Sequence, residues 1–425
     1  MKKIFKHKVI SGALQFTIFI GVIIALILAG LVMLQNTHNF FIQQSKSTIE
    51  NIQLANSGIM FLRQQKNLIA DTITIDQLSR DNEKVQVQSS LWGIYEKAIV
   101  KTTHRKKIFY KSALLGTQID NLKRSNLYLQ DNFKPLVLVG NTILKGNAFL
   151  PAQGVKPGYI AGEGFYGVNL INGASYKSDD KLPKLRDRYK ESIEQLSKFQ
   201  VYKEENYLRE SEIVRFTNSF LKPTKIWNSK SEIILSNNEL SGNIIIQSEQ
   251  KITVKKSATL KDIILIAPII IIEDEVSGNF QVICNKQIKV GVDCKLNYPS
   301  ALVLLEKKDE VTASQMSDIP IFIDKRTEIR GSILYLKAIK KNDFNTQVIL
   351  NEESIIKGEV YCEGNLELKG KVVGSVYTEQ FVVNKAGSVF INHIYNGQIA
   401  NDNFPNQFCG LLFKDNQKSV AKWMY

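Results

Sequence analysis

A few places in this 425-residue chain carry residue types that could do chemistry. Glu273-Asp-Glu275 is the densest acidic triplet. Clustered carboxylates are what glycosidases use to protonate a leaving group and activate a nucleophile. No aromatic sugar platform stands beside this triplet, so it reads as a solvated turn. Lys307-Lys-Asp-Glu310 and Lys340-Lys-Asn-Asp343 read as loop tips. Gly162-Glu-Gly-Phe-Tyr-Gly167 is rich in glycine, yet it neither follows a strong strand nor opens a helix, as a dinucleotide loop must. A lone histidine such as His393 could serve an acyl transfer, but a structural role suits it better. There is no Gly-x-Ser-x-Gly elbow and no Walker-type phosphate loop.

Metal and redox chemistry lack their residues too. Cys284, Cys294, Cys362 and Cys409 form no CxxC pair, and His7, His38, His104 and His393 stand far apart. A zinc site needs four such ligands at short spacings. One bridge, Cys284–Cys294, or buried free thiols both remain open. The expectation is a chain with no catalytic, cofactor-binding or metal-binding residue, and not an enzyme. The net charge of +14 could face nucleic acid, anionic lipid or an anionic glycan. The Lys and Arg residues are scattered and no nucleic-acid-binding signature occurs. Nucleic acid is therefore not an expected partner, whereas an anionic glycan stays open.

Residues 9–34 hold no charged side chain. A helix rises about 1.5 Å per residue, so roughly 20 apolar residues cross a hydrocarbon core. This run implies a single transmembrane helix in contact with the lipid bilayer. Lys2, Lys3, Lys6 and Lys8 precede it, and 35–45 carries no Lys or Arg. The positive-inside rule then leaves the N-terminus in the cytoplasm and the bulk periplasmic or extracellular. A cleaved signal peptide would show a shorter apolar region and small residues after it. Beyond the span, Ile42, Ile49, Ile52, Ile59 and Leu62 recur at sums of three and four, with Ser45 and Asn56 between them. That predicts a stalk helix over 35–68. Its 42–62 stripe either packs on its own domain or meets partner proteins. The front of the segment, Lys6-His-Lys-Val-Ile-Ser-Gly12 then Ala13-Leu-Gln-Phe-Thr17, resembles a type IV prepilin leader over about 60 residues. The resemblance implies cleavage between Gly12 and Ala13. It departs from the usual pattern by holding Thr17 where most members carry Glu.

The elements that would position any site come after the stalk. Residues 71–132 read as a small α+β region, with period-two alternation in Lys84-Val-Gln-Val-Gln88 and aromatic, branched runs at 91–100 and 107–115. Residues 133–178 form a glycine-rich block, and 179–222 a charged helical insertion with Leu185, Tyr189, Ile193 and Leu196 at helical spacing. From 226 to 400 one pattern recurs: apolar, any, Gly or Asp, any, apolar. It is centred on Gly242, Asp262, Gly278, Gly331, Gly358 and Gly374, with Gly146 as an earlier example. Such short strands cannot bury their apolar side alone. Stacked coils would bury it as one column, with glycine at the corners where the backbone needs positive φ. The expected fold is mainly β: a parallel β-helix behind a transmembrane and stalk helix. Residues 133–178 would be its first coils and 401–425 a C-terminal cap. A β-sandwich is the competing fold.

The corners Lys357-Gly-Glu-Val-Tyr361 and Val373-Gly-Ser-Val-Tyr377 resemble those of bactofilins, which are polymer-forming β-helix proteins. That resemblance implies stacking into cytoplasmic filaments, whereas this chain sets the pattern behind a membrane span and before a tail. The expected role is a membrane-anchored extracytoplasmic scaffold, or a minor pilin-like component of a surface or secretion assembly. The competing role is an anchored β-helix enzyme acting on an anionic polysaccharide.

Overall fold

In a computed structural model the described residues are 12–79, 83–105, 107–121, 123–186, 189–198, 202–306, 319–338, 344–405, 408–414 and 416–424. The expected basic tip at 1–8 and the loop tips Lys307–Glu310 and Lys340–Asp343 lie outside them. The chain is mainly β, with one long apolar helix at its start and a large parallel sheet. It divides into two units. One is built from Met1–Gly58, Thr74–Gln86 and Lys101–Phe109, and the other from Ile59–Ile73, Val87–Val100 and Tyr110–Tyr425.

The helix of the first unit begins at Gly12 and continues unbroken to Gln64. Its side chains from Leu14 to Leu34 are exposed, and it is long and apolar enough to cross a membrane. Without water the backbone must bond within itself, which a continuous helix achieves. Farther along, a different face is covered. Ser47, Asn51 and Ala55, four residues apart, are buried. Asn51 Nδ2 donates to Lys107 O (3.4 Å) and Thr102 Oγ1 donates to Asn51 O (3.3 Å). His104 stands between Glu83 (Nδ1 to Oε1, 3.1 Å) and Glu50 (Nε2 to Oε2, 3.2 Å). The expected apolar stripe is therefore divided. Ile42, Ile49 and Ile52 are exposed, while Ile59 and Leu62 are buried. Small and polar residues let strand backbones approach closely, and apolar periodicity could not reveal that face.

In the second unit parallel ladders run from strand to strand across a large sheet. Ile233, Ile252, Ile270, Ile288, Ile321, Val348, Leu366 and Phe381 are successive partners. Each is no more than 3% exposed. A second ladder joins Leu296, Ile329, Ile356, Val372, Ile399 and Leu144. Neighbouring strands lie about 4.8 Å apart, so one apolar side chain per rung makes a continuous dry column. Parallel pairing throughout these ladders is not the arrangement of an antiparallel sandwich.

Stacking order differs from chain order. The strand Lys371–Lys385 is followed in space by Ser125–Leu129, then Asn147–Leu150, then Ser175–Lys177. The block expected as first coils is thus the last. The strap that follows it travels back across the ladders. Tyr128 donates to Lys181 O (3.1 Å), Tyr361 to Pro183 O (3.2 Å) and Gln247 Nε2 to Lys198 O (2.8 Å). Within the strap, the helix Tyr189–Ser197 buries Tyr189 and Ile193. Where a helical insertion was expected, helix is confined to that piece, Glu210–Val214 and one 3-10 turn among the described residues. The tail adds the strands Cys409–Gly410 and Lys418–Met424, both antiparallel to Lys107–Gln118. The tail, expected as a cap, rests against Glu359 and Tyr361 of the strand Ile355–Leu368, which has parallel partners on both sides.

Candidate functional site

The glycine corners are where local sequence dictates backbone most strictly. Gly331, Gly358 and Gly374 are ladder partners with φ of 149°, 153° and 145°. A Cβ on any of them would overlap the carbonyl oxygen of its partner in the preceding coil: Ser300, Gly331 and Gly358 respectively. Gly146 (φ 103°), Gly242 (φ 93°) and Asp262 (φ 60°) also take positive φ. Gly278 does not; there a Cβ would come within 2.8 Å of Leu260 O, so close approach, not φ, calls for glycine. Gly12 and Ala13 open the exposed end of the long helix.

Among the described residues, the other candidates from the sequence do not gather into a site. Asp274 Oδ1 accepts from Val292 N (2.8 Å), and Glu275 pairs with Lys256 at a positive-φ corner. The acidic triplet therefore holds a turn. In the glycine-rich stretch, Glu163 Oε2 accepts from Tyr395 OH (2.6 Å) and Gly164 O accepts from Gly140 N (2.8 Å), which makes the stretch a corner of the last coils. His393 Nδ1 lies 2.7 Å from Ile391 O, and burial lowers its pKa. The four cysteines are buried and form no disulfide. Burial pushes the Cys294 and Cys409 thiols up to about 11 and raises Cys284 and Cys362 as well. Such thiols are packing groups, not nucleophiles.

What does gather is a corner cleft of about 590 Å³. Leu304, Tyr335, Cys362, Thr378 and Leu129 are ladder partners in five successive parallel strands. Just past them stand Glu306, Lys337, Glu363, Glu379 and Asp131, all lining the cleft. Lys337 Nζ pairs with Glu379, and its backbone N donates to Glu363 Oε2 (3.1 Å). Lys190 from the strap reaches the same Glu363 oxygen at 3.1 Å. Tyr335 OH donates to Glu306. These residues lie outside the recurring corner pattern, and nothing in local sequence marks them as neighbours, because the strands contributing them are tens to hundreds of residues apart.

Two buried ionic groups, also unread from sequence, hold the tail. Lys418 Nζ pairs with Glu96 Oε2 at 2.7 Å with both side chains fully buried. Glu359 Oε2 accepts from Leu411 N at 2.5 Å. Burial pushes the Glu359 carboxyl up to about 7, against the Leu411 bond and the Arg124 charge. Tyr95, Tyr189, Tyr298, Tyr377 and Cys409 are the other titratable groups that feel it. An unfolded glutamate titrates near 4.3. The folded state thus holds this proton more tightly, and stability from this group is greatest below that pH and falls as pH rises to about 7. The full change is about 4 kcal/mol. Glu359→Gln should flatten the melting temperature between about pH 4.3 and 7 and raise it at pH 8. A variant whose melting curve tracks the native one across that range would refute this.

Comparison with family models, with curated proteins and with solved structures gives no match for this chain.

Proposed function

We propose that this chain is a single-pass, membrane-anchored, non-catalytic scaffold whose parallel sheet winds as a β-helix outside the cytoplasm. The observation that carries it is the change of character along one helix. The first half is bare and apolar, and the continuation is polar and bonded to strands through Asn51 and Thr102. A helix built this way fixes a folded body directly to its anchor. Inward columns of Ile, Val and Leu support the β-helical winding, similar to that of bactofilins. The long helix followed by strands supports a minor pilin-like component. Its exposed Ile42, Ile49 and Ile52 would face protein partners.

The native cysteines are buried, which makes topology measurable with one added thiol. Lys230→Cys, at an exposed turn, should react with a membrane-impermeant maleimide while the cytoplasmic membrane is intact. Reaction only after that membrane is broken would reverse the orientation. The mass of the mature N-terminus then separates a pilin-like route, starting at Ala13, from a plain anchor with its leader intact.

The second reading is an anchored enzyme acting on an anionic polysaccharide. The carboxylates along the cleft favour catalysis, but they would repel a polyanion.

A further inference from the structure

We propose that the corner cleft binds an uncharged, linear glycan running along the stacking axis, one sugar per coil. The cleft offers one polar side chain at each rung: Glu306, Lys337, Glu363, Glu379 and Asp131. Rungs are about 4.8 Å apart, close to the advance of a glycan chain per pyranose ring. An extended peptide advances about 3.3 Å per residue and so does not meet the rungs one residue for one rung. The remaining lining is rich in carboxamides, among them Gln130, Gln347 and Gln380. Carboxamides and carboxylates together donate and accept, as vicinal hydroxyls require. At the rim Phe133 and Phe344 are 77% and 57% exposed. Ring faces left open beside a polar cleft suit the C–H face of a sugar, which is the apolar side of an otherwise wet ligand. Charge selects among glycans. The lining sets five carboxylates against two lysines, so a uronate polymer is repelled although the whole chain is basic.

The proposal goes beyond the scaffold reading and does not depend on orientation or leader cleavage. The test uses the full chain in detergent, titrated calorimetrically with cellohexaose, chitohexaose and polygalacturonate. At least one neutral hexasaccharide should bind in the millimolar range or tighter, and polygalacturonate should not. Phe133→Ala with Phe344→Ala should weaken binding at least about tenfold, about 1.4 kcal/mol, while the melting temperature holds, because both rings are exposed. Glu379→Gln removes one of the five carboxylates and should raise polygalacturonate binding relative to that of the neutral hexasaccharides. Silence from both hexasaccharides would overturn the proposal. So would preference for polygalacturonate, or binding indifferent to both phenylalanines.

Discussion

Gly358→Ala should cost more than about 4 kcal/mol, a large share of the 5–15 kcal/mol that holds most domains folded. Two effects coincide at this residue. Its φ of 153° is a conformation that side chains rarely adopt, and its Cβ would overlap the carbonyl oxygen of Gly331. That oxygen cannot retreat. Gly331 is itself pressed against Ser300 O, and Gly374 is pressed against Gly358 O, so the three corners form one contact line. A shift at one rung must pass to the next. Gly387 supplies the control: its φ is 76°, but nothing lies within 4 Å of a Cβ there. Gly387→Ala should lose only the left-handed strain of about 1–2 kcal/mol. The measurement is the urea midpoint of both variants. Equal midpoints would mean that the close rung-to-rung approach is not what demands glycine.

The same corners show what local sequence could reveal. A β-branched triplet, a glycine and another triplet fix two strands and a corner, and the side-chain period of two fixes which residues point inward. That information is contained within each coil. Which coil lies next is not. Val376 pairs with Leu127, 249 positions earlier, with the same kind of apolar contact it could make with any coil. The strap and the tail reach across that order through bonds that join unlike residues: Tyr361 to Pro183 O, Gln247 to Lys198 O, Leu411 N to Glu359. The cleft inherits this limit, since its rungs come from coils on both sides of the reordered junction. The helix shows the converse. Periodicity of Ile42, Ile49 and Ile52 is legible, but the face that packs is marked by Ser47, Asn51 and Ala55, whose types say nothing without the strands opposite.

Lys418→Met should lose about 3–5 kcal/mol, the usual penalty for leaving one member of a buried ion pair behind. Glu96 is fully buried and its nearest remaining cation, Arg186, is 3.7 Å away. Burial lowers the pKa of Lys418 and the Glu96 charge opposes that shift. Removing both is a different experiment. Glu96→Leu with Lys418→Met replaces two desolvated charges by apolar volume and should recover most of the loss. Recovery greater than the sum of the two single effects allows would be read as coupling in a double-mutant cycle. The single variant should also fail locally. Lys418 opens the strand that pairs with Lys107–Gln118, and its carbonyl accepts from Arg63 Nε (2.9 Å) at the end of the long helix. Limited proteolysis of Lys418→Met should therefore clip the tail after 410 while the ladders persist. Simultaneous loss of tail and ladders would show instead that the cover and the stack unfold as one.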